Sequence, residues 1–181
     1  MINRLFNLIF ILLFIVSFSL NGNARAWRTT PQALAQEYAQ ILDQRSPSEI
    51  VMVIWVTPQL VPERFPNTRT QKVLSDNMLV GIGHIDIIAG GKLTYRRPAN
   101  ISVDIQNEET QFPLSLDQID AGASDILDTF LQIFEKSLGP MGRSIKWMVF
   151  NGKLVKSCEK GGFSINYAGE KYTYKTPIPG C

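Results

Sequence analysis

The spacing of apolar residues changes along this chain, and each change marks a different predicted element. The run 50–56 is continuously apolar, rich in β-branched side chains and too short for a buried helix, which predicts a strand covered on both faces. The run 78–88 predicts a long strand, and 93–97 returns from it across a turn that contains Gly90 and Gly91. Residues 101–105 alternate apolar and polar, which indicates a half-buried strand.

Two further hairpins are predicted nearer the carboxyl end. Asn151-Gly152 is a favourable two-residue turn, so 145–150 and 153–158 are expected to pair across it. The aromatic segments 163–167 and 172–174 are expected to pair across the turn at 168–170. Most strand connections are therefore short, which predicts mainly antiparallel pairing.

Helical spacing appears in three places. Thr30 and Pro31 are typical of a helix start, and an apolar stripe continues from Leu34 to Leu42, so a first amphipathic helix is expected to end near Ser46. A short helix is expected over 68–75. A second amphipathic helix is expected through 119–138, ended by Gly139 and Pro140.

These elements together predict an α+β fold. We expect a mainly antiparallel, curled sheet of about six or seven strands with the two amphipathic helices packed on one of its faces.

The amino terminus has the order of a secretory leader. A basic Arg4 precedes an apolar run at 5–20, and Ala24-Arg25-Ala26 supplies a small-x-small cleavage site. We therefore expect residues 1–26 to be a cleaved signal peptide and 27–181 to form a single globular domain, periplasmic or secreted. The alternative is an uncleaved anchor, although a spanning helix needs about 20 apolar residues and the run is shorter. No later run is long enough to span a membrane.

Loss of the leader removes the net charge of the chain. The full sequence has 18 Lys and Arg against 16 Asp and Glu, and the leader holds Arg4 and Arg25 with no acidic residue. The mature chain is therefore neutral in formal charge. Nucleic acid is not an expected partner, because that affinity comes mainly from neutralising phosphates.

The two cysteines, Cys158 and Cys181, are expected to form one disulfide, since exported chains meet an oxidising compartment. The loop that the bond closes gives on the order of 3 kcal/mol in the chain-entropy model. An intermolecular bridge through Cys181 is the alternative. The spacing is unlike that of redox motifs such as Cys-x-x-Cys.

His84, the only histidine, lies two residues before Asp86, so both side chains lie on one face of the predicted strand. A histidine oriented by a carboxylate is the core of many acid–base devices, which makes this pair the candidate catalytic residues. The alternative is a histidine facing solvent or bonded beneath a loop. A zinc site is not expected because no second histidine exists, and no cofactor motif is present.

Five other residues are candidate ligand contacts. Arg96 and Arg97 form the densest basic cluster, Arg143 follows the second amphipathic helix where backbone amides offer an anion site, and Tyr172 and Tyr174 belong to the aromatic hairpin. Each has an ordinary structural alternative: a solvated charge, a helix cap with its turn, or aromatic pairs that stabilise a hairpin.

Two functions follow from these patterns. The first is a non-catalytic binding or envelope-accessory protein whose partner is an unidentified envelope protein or small ligand. The second is a small exported enzyme that uses His84 and Asp86, assisted by Arg96 or Arg97. The first is preferred, because function has to be argued from a site and the sequence contains no complete catalytic set.

Overall fold

The computed structural model describes residues 39–60, 68–106, 110–179 and 181. The strands and helices are, in chain order, β1 (Gln40–Ser46), β2 (Glu49–Val56), α1 (Thr68–Asp76), β3 (Asn77–Ile88), β4 (Lys92–Arg96), β5 (Ser102–Ile105), α2 (Ala121–Leu138), α3 (Pro140–Ser144), β6 (Lys146–Asn151), β7 (Gly161–Tyr167) and β8 (Glu170–Thr176).

Within the described residues, eight strands form two antiparallel sheets, where the sequence predicts a single curled sheet of about six or seven strands. The larger sheet has the order β1-β2-β3-β4, and β6 also pairs with β3. The length of β3 explains this arrangement, because its first half pairs with β6 and its second half with β4. The smaller sheet has the order β5-β7-β8. The predicted α+β class with mainly antiparallel strands is confirmed.

The smaller sheet covers one face of the larger one, and the main core lies between them. Every second residue of β2 and β3 points into this core and packs against side chains of β5, β7 and β8. Fully buried examples are Val53 and Val80 of the larger sheet and Val103 and Ile165 of the smaller one. Trp55 lies edge-on to Phe163 with ring centroids 4.7 Å apart. The strand at 50–56 is therefore covered on both faces, as its composition predicts.

The other face of the larger sheet carries α1 and α2. Of the two amphipathic helices predicted on one face, the second, α2, lies there. Asp120 caps α2 by accepting a hydrogen bond from the Ala123 amide at 2.8 Å. On the sheet, the Trp147 ring lies over Gly81, where an added Cβ would come within 2.7 Å of it. The same ring stacks on Phe130 of α2 at 5.5 Å. Gly81 therefore makes room for the indole that joins the sheet to the helix.

The first predicted helix is wrong where the structure describes it. Ile41 and Leu42 lie in β1, whose residues alternate between half-buried and exposed and pair with β2 in register. Pairing along the open edge of β2 overrides a helical spacing that rests on only a few residues. The proposed helix start at Thr30 and Pro31 lies outside the described residues.

The hairpin predicted across Asn151-Gly152 is also wrong. The Asn151 side chain accepts a hydrogen bond from the Lys153 amide at 3.2 Å, and Gly152–Leu154 forms a 3₁₀ turn. Gly152 lies against the backbone of Asn77, with an added Cβ only 2.5 Å from the Asn77 carbonyl carbon. The glycine therefore serves close packing, and β6 pairs with β3 instead.

The other local elements predicted within the described residues form. α1, the β3–β4 hairpin, α2 with its Gly139 end, and the β7–β8 hairpin all form at the expected positions. The Cys158–Cys181 disulfide forms, with Cα atoms 5.2 Å apart and a sequence separation of 23. Ile178, just before the terminal cysteine, is buried in the inter-sheet core, and its amide donates to the Ser157 carbonyl at 2.9 Å.

Candidate functional site

A cluster of polar side chains closes one end of the space between the two sheets. Its centre is His84 on β3, whose inward orientation follows from the period of two that also turns Val80 and Ile82 inward. His84 is only 1% exposed. A buried polar group of this kind is costly unless it is hydrogen-bonded, so its partners define the cluster.

Both ring nitrogens of His84 have a partner. Nε2 lies 2.9 Å from Glu49 Oε1, and Nδ1 lies 2.6 Å from the Tyr167 hydroxyl. An ionised carboxylate can only accept, so Nε2–H donates to Glu49 and the Tyr167 hydroxyl donates to Nδ1. This assignment gives both ring nitrogens of His84 a partner and links the larger sheet, through β3, to β7 of the smaller one.

Arg45 makes a second connection between the sheets. Its guanidinium donates to the Tyr172 hydroxyl at 2.7 Å and to the Tyr167 carbonyl at 3.1 Å. The Tyr172 hydroxyl in turn donates to Asp43 Oδ2 at 2.8 Å. Strand β1 therefore bonds to the β7–β8 hairpin through side chains, since the described strands of the two sheets share no backbone pairing.

The outer rim of the cluster is an ion pair. Arg96 lies opposite His84 on β4, and its Nε donates to Asp86 Oδ2 at 2.6 Å. The Arg96 side chain is 56% exposed and that of Asp86 20%. The hydrogen bond from Arg96 holds the pKa of the Asp86 carboxyl below its usual value, so Asp86 stays charged and engaged with the guanidinium.

Burial acts in the opposite direction on the two tyrosines of the cluster. Loss of solvent raises the pKa of Tyr172 to about 12 and raises that of Tyr167 as well. Both hydroxyls are therefore neutral and able to donate near neutral pH, which the hydrogen bonds to Asp43 and His84 require.

Glu49, His84 and Asp86 offer three ligand atoms within 4.8 Å of one another, a spacing that a metal ion could bridge. Their charge environment argues against a cation, however. Arg96 Nη1 lies 3.7 Å and Arg45 Nη1 3.9 Å from the Glu49 carboxylate, so two guanidiniums already balance these acids. A divalent ion would have to displace both against their repulsion.

The structure brings together some of the candidate residues and separates others. His84, Asp86, Arg96 and Tyr172 all belong to the cluster. Tyr174 is buried towards the apolar side of the core, with its hydroxyl 3.3 Å from the Val53 carbonyl. Arg97 is exposed, and Arg143 forms an ion pair with Glu135 of α2 at 2.7 Å.

Sequence reasoning missed four members of the cluster: Asp43, Arg45, Glu49 and Tyr167. The assignment of 30–46 to a helix concealed that Asp43 and Arg45 lie on one face of a strand. Glu49 had a usable signal, because it begins the apolar run and antiparallel pairing places it opposite Asp86. Tyr167 was named only as a hairpin aromatic, and its contact with His84 depends on the packing of the two sheets.

No family model, no curated protein and no solved structure matches this chain. The site has to be interpreted from its own geometry.

Other surface features lie away from the cluster. A cleft of about 220 Å³ lies at the opposite end of β7, lined by residues that include Ile105, Lys156, Lys160 and Phe163. Large apolar side chains are exposed at Leu42, Ile88, Leu93, Phe112 and Leu116. Within the part of the chain that the structure describes, no helix combines the length and apolar character needed to cross a membrane.

Proposed function

We propose that this protein is exported, to the periplasm or beyond, and acts there as a non-catalytic binding or envelope-accessory module. The observation that carries the proposal is the segment 111–116, which presents Phe112 at 70% and Leu116 at 90% exposure. Exposed apolar side chains that are held in place, rather than scattered singly, are typical of interaction sites.

The segment is tied to both sheets. Gln111 pairs with Val103 of β5, and the Leu114 amide donates to the Val149 carbonyl of β6 at 2.8 Å. Phe112 and Leu116 are therefore exposed on a segment whose backbone is held by hydrogen bonds to both sheets. A partner that covers them loses little backbone entropy on binding, which favours affinity.

The state of the polar cluster supports the same choice. An acid–base residue needs a free position that a substrate can reach. Both nitrogens of His84 are bonded to protein groups, Asp86 is bonded to Arg96, and His84 is 1% exposed. The alternative, a small exported enzyme that uses His84 and Asp86, requires the cluster to open and expose the imidazole.

Export is supported by the leader-like order of residues 1–26 and by the disulfide, a bond that persists in oxidising compartments. Mass spectrometry of the chain recovered from an envelope fraction tests it. We expect a mature chain that begins at Trp27. Unprocessed chain in the cytosol with both thiols reduced would refute export.

Binding is tested by capture from the native envelope fraction with three baits: the wild type, Phe112→Ser with Leu116→Ser, and Leu42→Ser. Leu42 is 64% exposed on β1 and serves as the matched apolar control. We expect the double variant to lose the captured protein and the control to retain it. Equal capture by all three baits, or none by the wild type, contradicts this surface.

The enzyme alternative is separated by His84→Gln. The wild type and both variants are screened against hydrolase and transferase substrates. Catalysis at the cluster is favoured if the wild type shows turnover that His84→Gln abolishes and that Phe112→Ser with Leu116→Ser leaves intact.

A further inference from the structure

The β3–β4 hairpin projects beyond the rest of the larger sheet. Pairing of β2 with β3 ends at Glu49 and Asp86, followed by one bond of 2.8 Å from the Ile87 amide to the Ser48 carbonyl in the turn before β2. Strands β3 and β4 remain paired out to Ile88 and Lys92. The turn contains Gly90 and Gly91, whose φ angles are 80° and 75°. A Cβ atom added at either glycine would have no other atom within 4 Å. The hairpin therefore ends in a convex tip with open space around it.

The tip carries exposed apolar side chains on both of its faces. Ile88 is 45% and Leu93 44% exposed. Ile88 is paired with Lys92 and Leu93 with Ile87, so the two exposed side chains belong to adjacent pairs and point to opposite faces of the ribbon.

The sequence around the tip has one sign of charge. Residues 87–103 contain Lys92, Arg96 and Arg97 and no acidic residue. Arg96 is engaged by Asp86, which belongs to the polar cluster, whereas Lys92 and Arg97 are exposed. Lys92 lies beside the exposed apolar residues, and Arg96 and Arg97 lie four and five residues behind it.

We propose that this hairpin tip is a contact site for an anionic phospholipid surface. Ile88 and Leu93 enter the interfacial region, and Lys92, which lies beside them at the tip, faces the lipid phosphates. A convex wedge with apolar groups on both faces presents no single flat surface for a protein to cover, whereas fluid lipid surrounds it from every side. Basic residues beside apolar ones provide the charge complementarity that interfacial binding to anionic lipid uses.

The contact is shallow and reversible, because only two large apolar side chains take part. It depends on the proposed export only in that the chain must reach a membrane surface. It is independent of the segment 111–116, so the two sites can fail separately.

Co-sedimentation with vesicles tests the proposal. The purified processed chain is mixed with vesicles of phosphatidylcholine alone or with about one third phosphatidylglycerol. We expect partition onto the anionic vesicles, weakened by added salt, and a loss of about tenfold or more in Ile88→Ser with Leu93→Ser. Lys92→Glu is expected to weaken partition severalfold while the apolar residues remain.

Leu42→Ser is the control, since it removes a leucine that is even more exposed, at 64%, elsewhere on the same sheet. Its partition is expected to equal that of the wild type. The wild type and all variants are prepared with the same amino terminus, so any contribution of that terminus to vesicle binding is equal among them. Absence of wild-type binding, equal binding by the Ile88 and Leu93 double variant, or equal binding to neutral and anionic vesicles each overturns the proposal. An acidic protein partner for the tip would give capture that these substitutions abolish without any vesicle binding, and this also counts against lipid. None of these outcomes affects the separate prediction that Phe112 and Leu116 capture a partner protein.

Discussion

The two ends of the inter-sheet space are built from different chemistry on the same strands. At one end, Trp55, Phe163 and Tyr174 form an aromatic group, with the last two rings stacked at 5.0 Å. At the other end, β3 contributes His84, and β7 and β8 contribute Tyr167 and Tyr172, held by hydrogen bonds. The aromatic end depends on buried apolar area, whereas the polar end depends on every donor and acceptor having a partner.

This difference explains how two sheets without shared backbone bonds hold one alignment. Apolar packing is roughly proportional to area and tolerates small shifts. A buried hydrogen-bond network does not, because a displacement leaves charged or polar groups unpaired in a low-dielectric setting. We infer that the aromatic end supplies most of the stability and that the polar end fixes how the sheets are placed.

The largest effect is expected from the aromatic end. Phe163→Ala removes a ring that contacts both Trp55 and Tyr174 and leaves a cavity, which should lower the free energy of unfolding by about 3–5 kcal/mol. Urea denaturation followed by tryptophan fluorescence measures it. Phe112→Ala, at a 70% exposed site, should change stability by about 0.5 kcal/mol or less. Similar losses from both substitutions would mean that the aromatic end does not carry the stability.

A smaller loss is expected from one hydroxyl at the polar end. Tyr167→Phe leaves Nδ1 of buried His84 without its donor, which should cost about 1–3 kcal/mol. Tyr174→Phe is the matched control, because its hydroxyl makes only long contacts of 3.3 and 3.4 Å to backbone carbonyls. We expect it to cost about 1 kcal/mol or less. Equal losses from the two tyrosine variants would show that the hydroxyl at the polar end has no special role.

The smallest effect concerns alkaline pH. The folded pKa of Tyr172, raised by burial to about 12, lies above the unfolded value near 10. A group whose folded pKa is raised contributes stability that is complete below the unfolded pKa and is lost as pH rises towards the folded pKa. The wild type should therefore lose stability between about pH 10 and 12, and Tyr172→Phe should lose less over the same range.

Urea midpoints measured at intervals from pH 9 to 11.5 check this prediction. Lysines also titrate there, but they are common to both proteins and cancel in the comparison. Parallel curves for the wild type and Tyr172→Phe would show that ionisation of Tyr172 is not coupled to unfolding.

Local patterns were reliable where several signals agreed. The β-branched run at 50–56, the glycine turn after 78–88 and the capped apolar face of 119–138 each became the expected element. Local signals failed where strand pairing or close packing with a distant segment decided the conformation, even where several of them agreed. Ile41 and Leu42 suggested a helix but lie in an edge strand, and Asn151-Gly152 suggested a hairpin but bends the chain against Asn77.

Sequence alone determined the α+β class, most of the elements, the single disulfide pairing and the shared face of His84 and Asp86, because these depend on residues that are close in the chain or have no rival partner. The second sheet, and with it the cluster of Asp43, Arg45, Glu49 and Tyr167 around the histidine, was decided by tertiary structure. Those contacts join residues up to 129 positions apart, as between Asp43 and Tyr172. No local periodicity records which side chains meet when two separate sheets pack face to face.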